Sequence, residues 1–305
     1  MWRHSVMSFA PHSLKLLAGF AVALFSTLPV SVSAAEPEGL RVFTCGHSFH
    51  VWVVPILSEM ANHAGIPNHR ALGKSGIGGS TVSKHWAVPD DKNTAKSLLT
   101  AGQVDVLTLS PIWLPDEGIE QFATLAVAHN PDIRITVQKY WLPNDEYHPV
   151  YPLETKKKVD HNATSIPELK KAQDQYDKDV DDYVSDINGK LKTNALVTIP
   201  VGQAVIQLRE KIIAGECPGI TRQSELFRDN WGHPTAPIMA LAAYCHFAAI
   251  YQRNPVGLPL PAILKANPAW DDKLNLLLQE LAWEAVTKQG LVPDKAKAVP
   301  AVKSR

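Results

Sequence analysis

Cysteine is scarce, with three in 305 residues, and that excludes a small fold stapled by disulfides. An excess of one charge sign is also missing. Thirty Lys and Arg balance thirty Asp and Glu, so there is no concentrated positive field of the kind that nucleic acid or an anionic membrane requires. No internal repeat is visible, and beyond the first 35 residues no apolar run approaches the ~20 residues needed to cross a bilayer.

The first 35 residues read as a secretory signal. Arg3 and Lys15 bracket a basic start, Leu16 to Leu28 form an apolar stretch, and the small residues Val32-Ser33-Ala34-Ala35 offer a cleavage site. Export with removal of 1–35 is therefore expected, to a periplasmic or extracellular location with no membrane attachment after cleavage. Removal takes Arg3 and Lys15 and no acidic residue, which leaves 28 basic against 30 acidic side chains. About 270 residues remain, enough for one α/β domain with a substantial core. Cys45 reads as a small core residue at a strand end, and Cys217 and Cys245 are candidates to pair in an oxidising compartment.

From Leu40 onward short apolar runs alternate with longer amphipathic segments, as in a parallel sheet covered by helices. Strands are expected at Arg41–Cys45, Asn68–Leu72, Val104–Leu109, Ile133–Tyr140 and Ala195–Ile199. Val104–Leu109 is nearly all apolar and β-branched, as a central strand buried on both faces should be. Helices are expected at Val54–His63, Thr94–Ala101, Ile119–Ala128, Ile166–Leu191 and Val205–Ala214, and from a Thr235 cap to Gln252. A last helix carries Leu274, Leu277, Leu278, Leu281 and Ala285. In 166–191 the apolar positions recur at helical spacing while six aspartates between Asp174 and Asp186 lie mostly on another face, so this helix covers the sheet. The domain is drawn over 36–289, with its core at 40–252 and its last helix at 272–289. The tail 290–305 is expected to be disordered.

Three segments carry chemistry. The first strand delivers Gly46-His47-Ser48-Phe49 to the carboxyl edge of the sheet, where doubly wound folds bind ligands. Ser48 is a candidate nucleophile there, although His50 stands where a nucleophile elbow has its second glycine. The loop Gly73-Lys74-Ser75-Gly76-Ile77-Gly78-Gly79-Ser80-Thr81 follows the second strand to the same edge. Its glycines let backbone N–H groups approach a ligand oxygen, and it lacks the Gly-Lys-Ser/Thr order of a phosphate loop. Phe227-Arg228-Asp229-Asn230-Trp231-Gly232-His233-Pro234-Thr235 then places His233 ahead of a long apolar helix, with Asp229 and Asn230 close enough to orient its ring.

Taken in this order, Val42 to Phe49, Gly78-Gly79-Ser80 and Asp229 to Thr235 resemble the SGNH (GDSL-like) hydrolase superfamily over roughly residues 40–252. The resemblance implies a three-layer α/β/α sandwich with a five-stranded parallel sheet, a flavodoxin-like fold. It further implies a serine esterase or deacetylase that needs no cofactor and acts on a small-molecule or carbohydrate ester. Ser48 would attack the ester carbonyl, His233 would act as general base, and the Ser48 and Gly79 amides would bind the oxyanion. The chain departs from the family in three places. His47 replaces the aspartate after the first glycine. Ser110-Pro111-Ile112-Trp113 has no asparagine where the family has an oxyanion donor. One extra residue puts Asn230, not Asp229, at the family spacing from His233; either side chain can bond the imidazole, with Asp229 favoured for its charge.

His47, His50 and His85 together invite a zinc reading, with no second tight pair to support it. His47 and Trp141 are expected to line the cleft. A non-catalytic binding module on the same fold is the alternative function.

Overall fold

The computed structural model describes residues 1–2, 38–144 and 159–293. Residues 3–35 of the expected signal segment 1–35 and residues 294–305 of the expected tail 290–305 lie outside the described residues; Val292, within that expected tail, is buried in the core.

The unit that begins at Glu36 is built on one parallel sheet. Its five strands are β1 (Arg41–Gly46), β2 (Arg70–Gly76), β3 (Val106–Leu109), β4 (Arg134–Gln138) and β5 (Leu196–Ile199), in the order β2-β1-β3-β4-β5. Eight α-helices accompany it among the described residues: α1 (Val53–His63), α2 (Val82–Trp86), α3 (Ala95–Thr100), α4 (Glu117–His129), α5 (Ile166–Leu191), α6 (Val201–Ile213), α7 (Ala236–Tyr251) and α8 (Asp272–Lys288).

Successive residues of a strand point to opposite faces, and here they feed two cores. Val42 of β1 and Val106 of β3 pack with α1, α6, α7 and α8, whereas Phe43 and Leu107 pack with α2 to α5. The result is three layers, helices on both faces of the sheet. The period-2 set beginning at Val42 continues as Thr44 in β1, and the sets beyond Val106 and Arg134 continue as Thr108 and as Thr136 and Gln138. All four polar residues are fully buried, and three of them form a polar stripe. Thr44 and Thr108 bond hydroxyl to hydroxyl at 2.9 Å, and His50 lies between Thr108 (3.0 Å) and Gln138 (3.0 Å).

β1 pairs with β2 on one side and β3 on the other, so the direction of winding reverses between β1 and β3. The crevice beyond their carboxyl ends is where this architecture binds ligands. Both Ser48 and Ser110 stand at that edge.

Several boundaries differ from expectation for local reasons. β2 runs on through Gly76 because an edge strand can be built from Gly73-Lys74-Ser75-Gly76 with one bulge opposite Val42 and Phe43. α6 starts at Val201, four residues early. Gly202 sits in it because a Cβ there would lie 2.2 Å from the Gln173 amide nitrogen and 2.8 Å from Tyr140 O. α2 is a helix with no counterpart among the expected elements. Its N-terminal N–H groups at Val82 and Ser83 donate to the Asp116 carboxylate (2.6 and 2.9 Å), which also caps α4. Thr235 precedes α7 as expected but does not cap it, since its hydroxyl donates to Glu225 O at 2.9 Å. The expected pair Cys217 and Cys245 is corrected as well: all three cysteines are free and buried. Burial pushes the Cys45 thiol up to about 12 and that of Cys217 up to about 11.

Candidate active site

The chain leaves β1 at Gly46 and turns through His47, Ser48 and Phe49 into α1. Gly46 is required here, because a Cβ would meet His50 Cδ2 at 2.5 Å. Nearly all of the turn's backbone is engaged. His47 O accepts from the N–H groups of His50 and Val51 (3.0 and 2.9 Å), and Ser48 O accepts from the Trp52 indole (2.7 Å). Phe49 N–H donates to His47 Nδ1 (3.3 Å), and Phe49 O accepts from the Gln138 amide (3.0 Å). Among the described residues the Ser48 N–H has no partner.

His47 is 4% exposed and does not line a cleft, contrary to expectation. With Nδ1 accepting, its proton is on Nε2, which lies 3.2 Å from Ser110 Oγ. Burial and then the neighbouring His50 lower its pKa to about 3, so it ties the β1 turn to the end of β3 as a neutral ring. Ser110, the first residue of the segment in which no asparagine stands, is itself buried and engaged with this ring.

The glycine loop is anchored by His85, 1% exposed. Ser80 Oγ donates to Ile77 O (2.9 Å) and so accepts from His85 Nε2–H (2.7 Å), which leaves His85 Nδ1 to accept from Ser75 Oγ (2.8 Å). Ile77 N–H bonds back to Gly46 O at 3.3 Å and brings the loop against β1. Gly79 adopts φ +59°, a conformation glycine reaches without strain. Among the described residues its N–H is also without a partner. His47, His50 and His85 each spend both ring nitrogens on protein partners, and among the described residues no group of three His, Cys, Asp or Glu is placed to hold a metal.

A hairpin supplies the third part. Phe227 and Pro234 pair antiparallel, and Arg228 N–H donates to His233 O (2.9 Å). Within it Asp229 Oδ1 accepts the backbone N–H groups of Trp231 (3.0 Å) and His233 (3.1 Å), and Oδ2 lies 2.6 Å from His233 Nδ1. Burial alone would raise the Asp229 carboxyl. The hydrogen bonds from His233 and Trp231 outweigh it and hold the group below the ordinary carboxylate value. His233 Nε2 lies 2.9 Å from Ser48 Oγ. A carboxylate can only accept, so His233 Nδ1 carries the proton and Nε2 presents a lone pair to the serine hydroxyl. Asn230 is exposed and makes no bond to the ring, so the choice between the two residues falls to Asp229.

The hairpin is held from below. Trp141 is 1% exposed and is corrected from cleft liner to support: its indole N–H donates to Gly232 O (3.0 Å). It stacks on Phe49 with centroids 4.7 Å apart, and Phe49 meets His233 edge-on at 5.3 Å. His161 lies with one ring nitrogen 3.1 Å from Pro143 O and the other 2.9 Å from Asp229 O. The buried Arg209 guanidinium donates to Pro143 O, His161 O and Gln223 Oε1. None of Gln138, His161 and Arg209 stands out from the sequence as a site residue. Gln138 alone leaves a trace, a glutamine near the end of the strand expected at Ile133–Tyr140, whose apolar positions are Ile133, Ile135 and Val137. Comparison of the chain with protein-family models, with curated proteins and with solved structures found no match.

Proposed function

We propose that the protein is an exported serine esterase or deacetylase of SGNH type, acting on an ester whose alcohol half is a carbohydrate or another small molecule. The observation that carries this reading is the chain Ser48 Oγ to His233 Nε2 to Asp229, at 2.9 and 2.6 Å. These are the distances a nucleophile, its base and the base's orienting acid require.

In this mechanism Ser48 Oγ attacks the ester carbonyl carbon as its proton passes to His233 Nε2. The Ser48 and Gly79 N–H groups, both unspent, take the negative charge that builds on the carbonyl oxygen. As the C–O bond breaks, His233 returns the proton to the departing alkoxide, releasing the alcohol and leaving an acyl group on Ser48. Water, deprotonated by the same nitrogen, then attacks the acyl carbon, and the Ser48 oxygen leaves with that proton. Asp229 stays ionised throughout and stabilises the imidazolium.

The test is a fluorophosphonate probe followed by mapping of the labelled residue, with p-nitrophenyl acetate turnover measured alongside. Labelling at Ser48, lost in Ser48→Ala together with turnover, is the expected result. An unlabelled Ser48, or turnover unchanged in Ser48→Ala, overturns the reading and favours a non-catalytic binding module.

A further inference from the structure

Gln138 closes β4, a strand separated from β1 by β3, yet its side chain reaches the turn that carries Ser48. It is fully buried. Its Nε2 donates to Phe49 O at 3.0 Å, and its Oε1 lies 3.0 Å from His50 Nδ1 and 3.1 Å from His246 Nε2. A carbonyl oxygen only accepts, so both rings donate to it. The reverse orientation of the amide would set its oxygen against Phe49 O, acceptor against acceptor. The two histidines and the Phe49 carbonyl thus agree on one orientation, with an N–H aimed at the turn.

The histidines are kept in the form this needs. Burial lowers His50 to about 4 and holds His246 well below the ordinary histidine value, so both rings are neutral and each has one N–H. His50 spends its own on Gln138 and takes the Thr108 hydroxyl proton at Nε2 (3.0 Å). His246 is fully buried in α7, a helix otherwise free of charged and amide side chains, and its Nδ1 has no partner among the described residues. A ring nitrogen buried without a partner is unfavourable in such a core. The one hydrogen bond this ring makes is the one that aims Gln138.

What the amide holds is the residue against which both members of the reacting pair rest. Phe49 follows Ser48 in the chain. Its ring stacks on Trp141 with centroids 4.7 Å apart and meets His233 edge-on at 5.3 Å, and Trp141 donates to Gly232 O, beside His233, at 3.0 Å. Ser48 is tied to Phe49 through the backbone and His233 through the ring, and Ser48 Oγ stands 2.9 Å from His233 Nε2.

Resting on the reading of Ser48 and His233 as the reacting pair, we infer that Gln138 is a positioning residue: its amide N–H, aimed by His50 and His246, holds Phe49 O and through Phe49 sets the hydrogen bond between Ser48 and His233.

Two variants test this. Gln138→Met fills the space with neither donor nor acceptor. Gln138→Glu keeps the acceptor oxygen and regains a donor toward Phe49 O only when its carboxyl is protonated. Both are assayed with p-nitrophenyl acetate across the neutral and mildly acidic range, at a temperature where thermal melts show them folded. Gln138→Met should lose roughly 100-fold in kcat at unchanged KM, the mark of a misplaced reacting group. The Gln138→Glu rate relative to wild type should rise as pH falls, because protonation returns the donor. His50 and His246, the titratable side chains bonded to this position, are neutral throughout that range. A role in folding alone would shift the melts and leave kcat of the folded variants unchanged. Wild-type kcat in folded Gln138→Met, or a Gln138→Glu rate ratio that does not rise toward acid pH, overturns the assignment; the second outcome decides it where Gln138→Met does not fold. ¹⁵N spectra of the His233 ring separate this from the chemistry. Ser48→Ala gives the Nε2 resonance without the serine bond, and Gln138→Met, like Gln138→Glu at its alkaline limit, should move Nε2 toward it. A wild type that fluorophosphonate leaves unlabelled at Ser48 defeats the reading of the pair as reacting, while the ring resonance still decides Gln138: an Nε2 unmoved in these variants overturns the assignment.

Discussion

Replacing Asp229 by asparagine tests the proposed chemistry at its most constrained atom. Asp229 Oδ1 accepts two backbone N–H groups, at 3.0 and 3.1 Å, and Oδ2 accepts the His233 ring proton at 2.6 Å. An asparagine has one oxygen, and the two backbone donors can be satisfied only by an acceptor, so that oxygen must take the Oδ1 place. The NH2 group then faces His233 Nδ1 and donates to it. Nδ1 becomes the acceptor, the ring proton moves to Nε2, and Nε2 donates to Ser48 Oγ where it previously accepted. The serine has lost its base although every heavy atom stays in place. In the serine–histidine–aspartate template this exchange costs about 10⁴ in kcat, equivalent to roughly 5 kcal/mol of transition-state stabilisation. Both turn-forming hydrogen bonds survive, so the melting temperature should move by no more than a few degrees. The assay is p-nitrophenyl acetate hydrolysis across pH with a thermal melt, and ¹⁵N spectra of the His233 ring report the tautomer directly. Activity above one tenth of wild type, with the fold intact, refutes the assignment of Asp229 and the tautomer argument together.

Two further outcomes rest on geometry away from the proton path. Gly232→Ala puts a Cβ 2.4 Å from Pro143 Cβ at a residue held at φ +79°, and the strain plus overpacking should cost about 3 kcal/mol, lowering the melting temperature by roughly 5–10 °C and displacing His233; a melt within a degree of wild type would be the contrary result. Asp105, whose carboxyl is held below its ordinary value chiefly by the hydrogen bond from the Arg41 side chain, contributes stability that is fully present above the unfolded carboxylate value and is lost as pH falls through the lower folded value. Because the pair is partly exposed, that contribution is about 1 kcal/mol, and Asp105→Asn should destabilise the protein at neutral pH by that amount while flattening the acid arm of a urea-midpoint-against-pH curve.

Legibility in the sequence divides along the physics of each segment. The central strands and α5 are readable because burial on one or two faces imposes a period, and a period survives in a single sequence. α5 is expected at Ile166–Leu191 and is found there. β2 reads too short because an edge strand rich in glycine has no buried face to write a pattern. α2 is invisible because five residues are too few to show a helical period, and what holds its first turn is Asp116, 33 and 34 residues away in the chain. Ser48 and His233 can be proposed because each lies at the end of a readable element on the same sheet edge. The choice between Asp229 and Asn230 cannot be made that way, since it depends on which side chain the hairpin turns inward.

The two tryptophans near the reacting pair show the same limit from the other direction. Trp141 is expected to line the cleft because it follows β4 at the carboxyl edge, and residues there commonly face the ligand. In the fold that place is roofed by Phe49 and the 227–234 hairpin, which converts Trp141 into the floor beneath the His233 turn. Trp231 sits near the tip of that same hairpin and is 41% exposed. A residue's position along a strand tells which edge it reaches but not which later segment folds over it. Gly232, the hairpin residue that Trp141 holds, lies 91 residues downstream of it, and the hairpin both buries one tryptophan and displays the other. Which of the two tryptophans is buried and which is exposed is therefore a property of the hairpin, and no pattern along β4 encodes it.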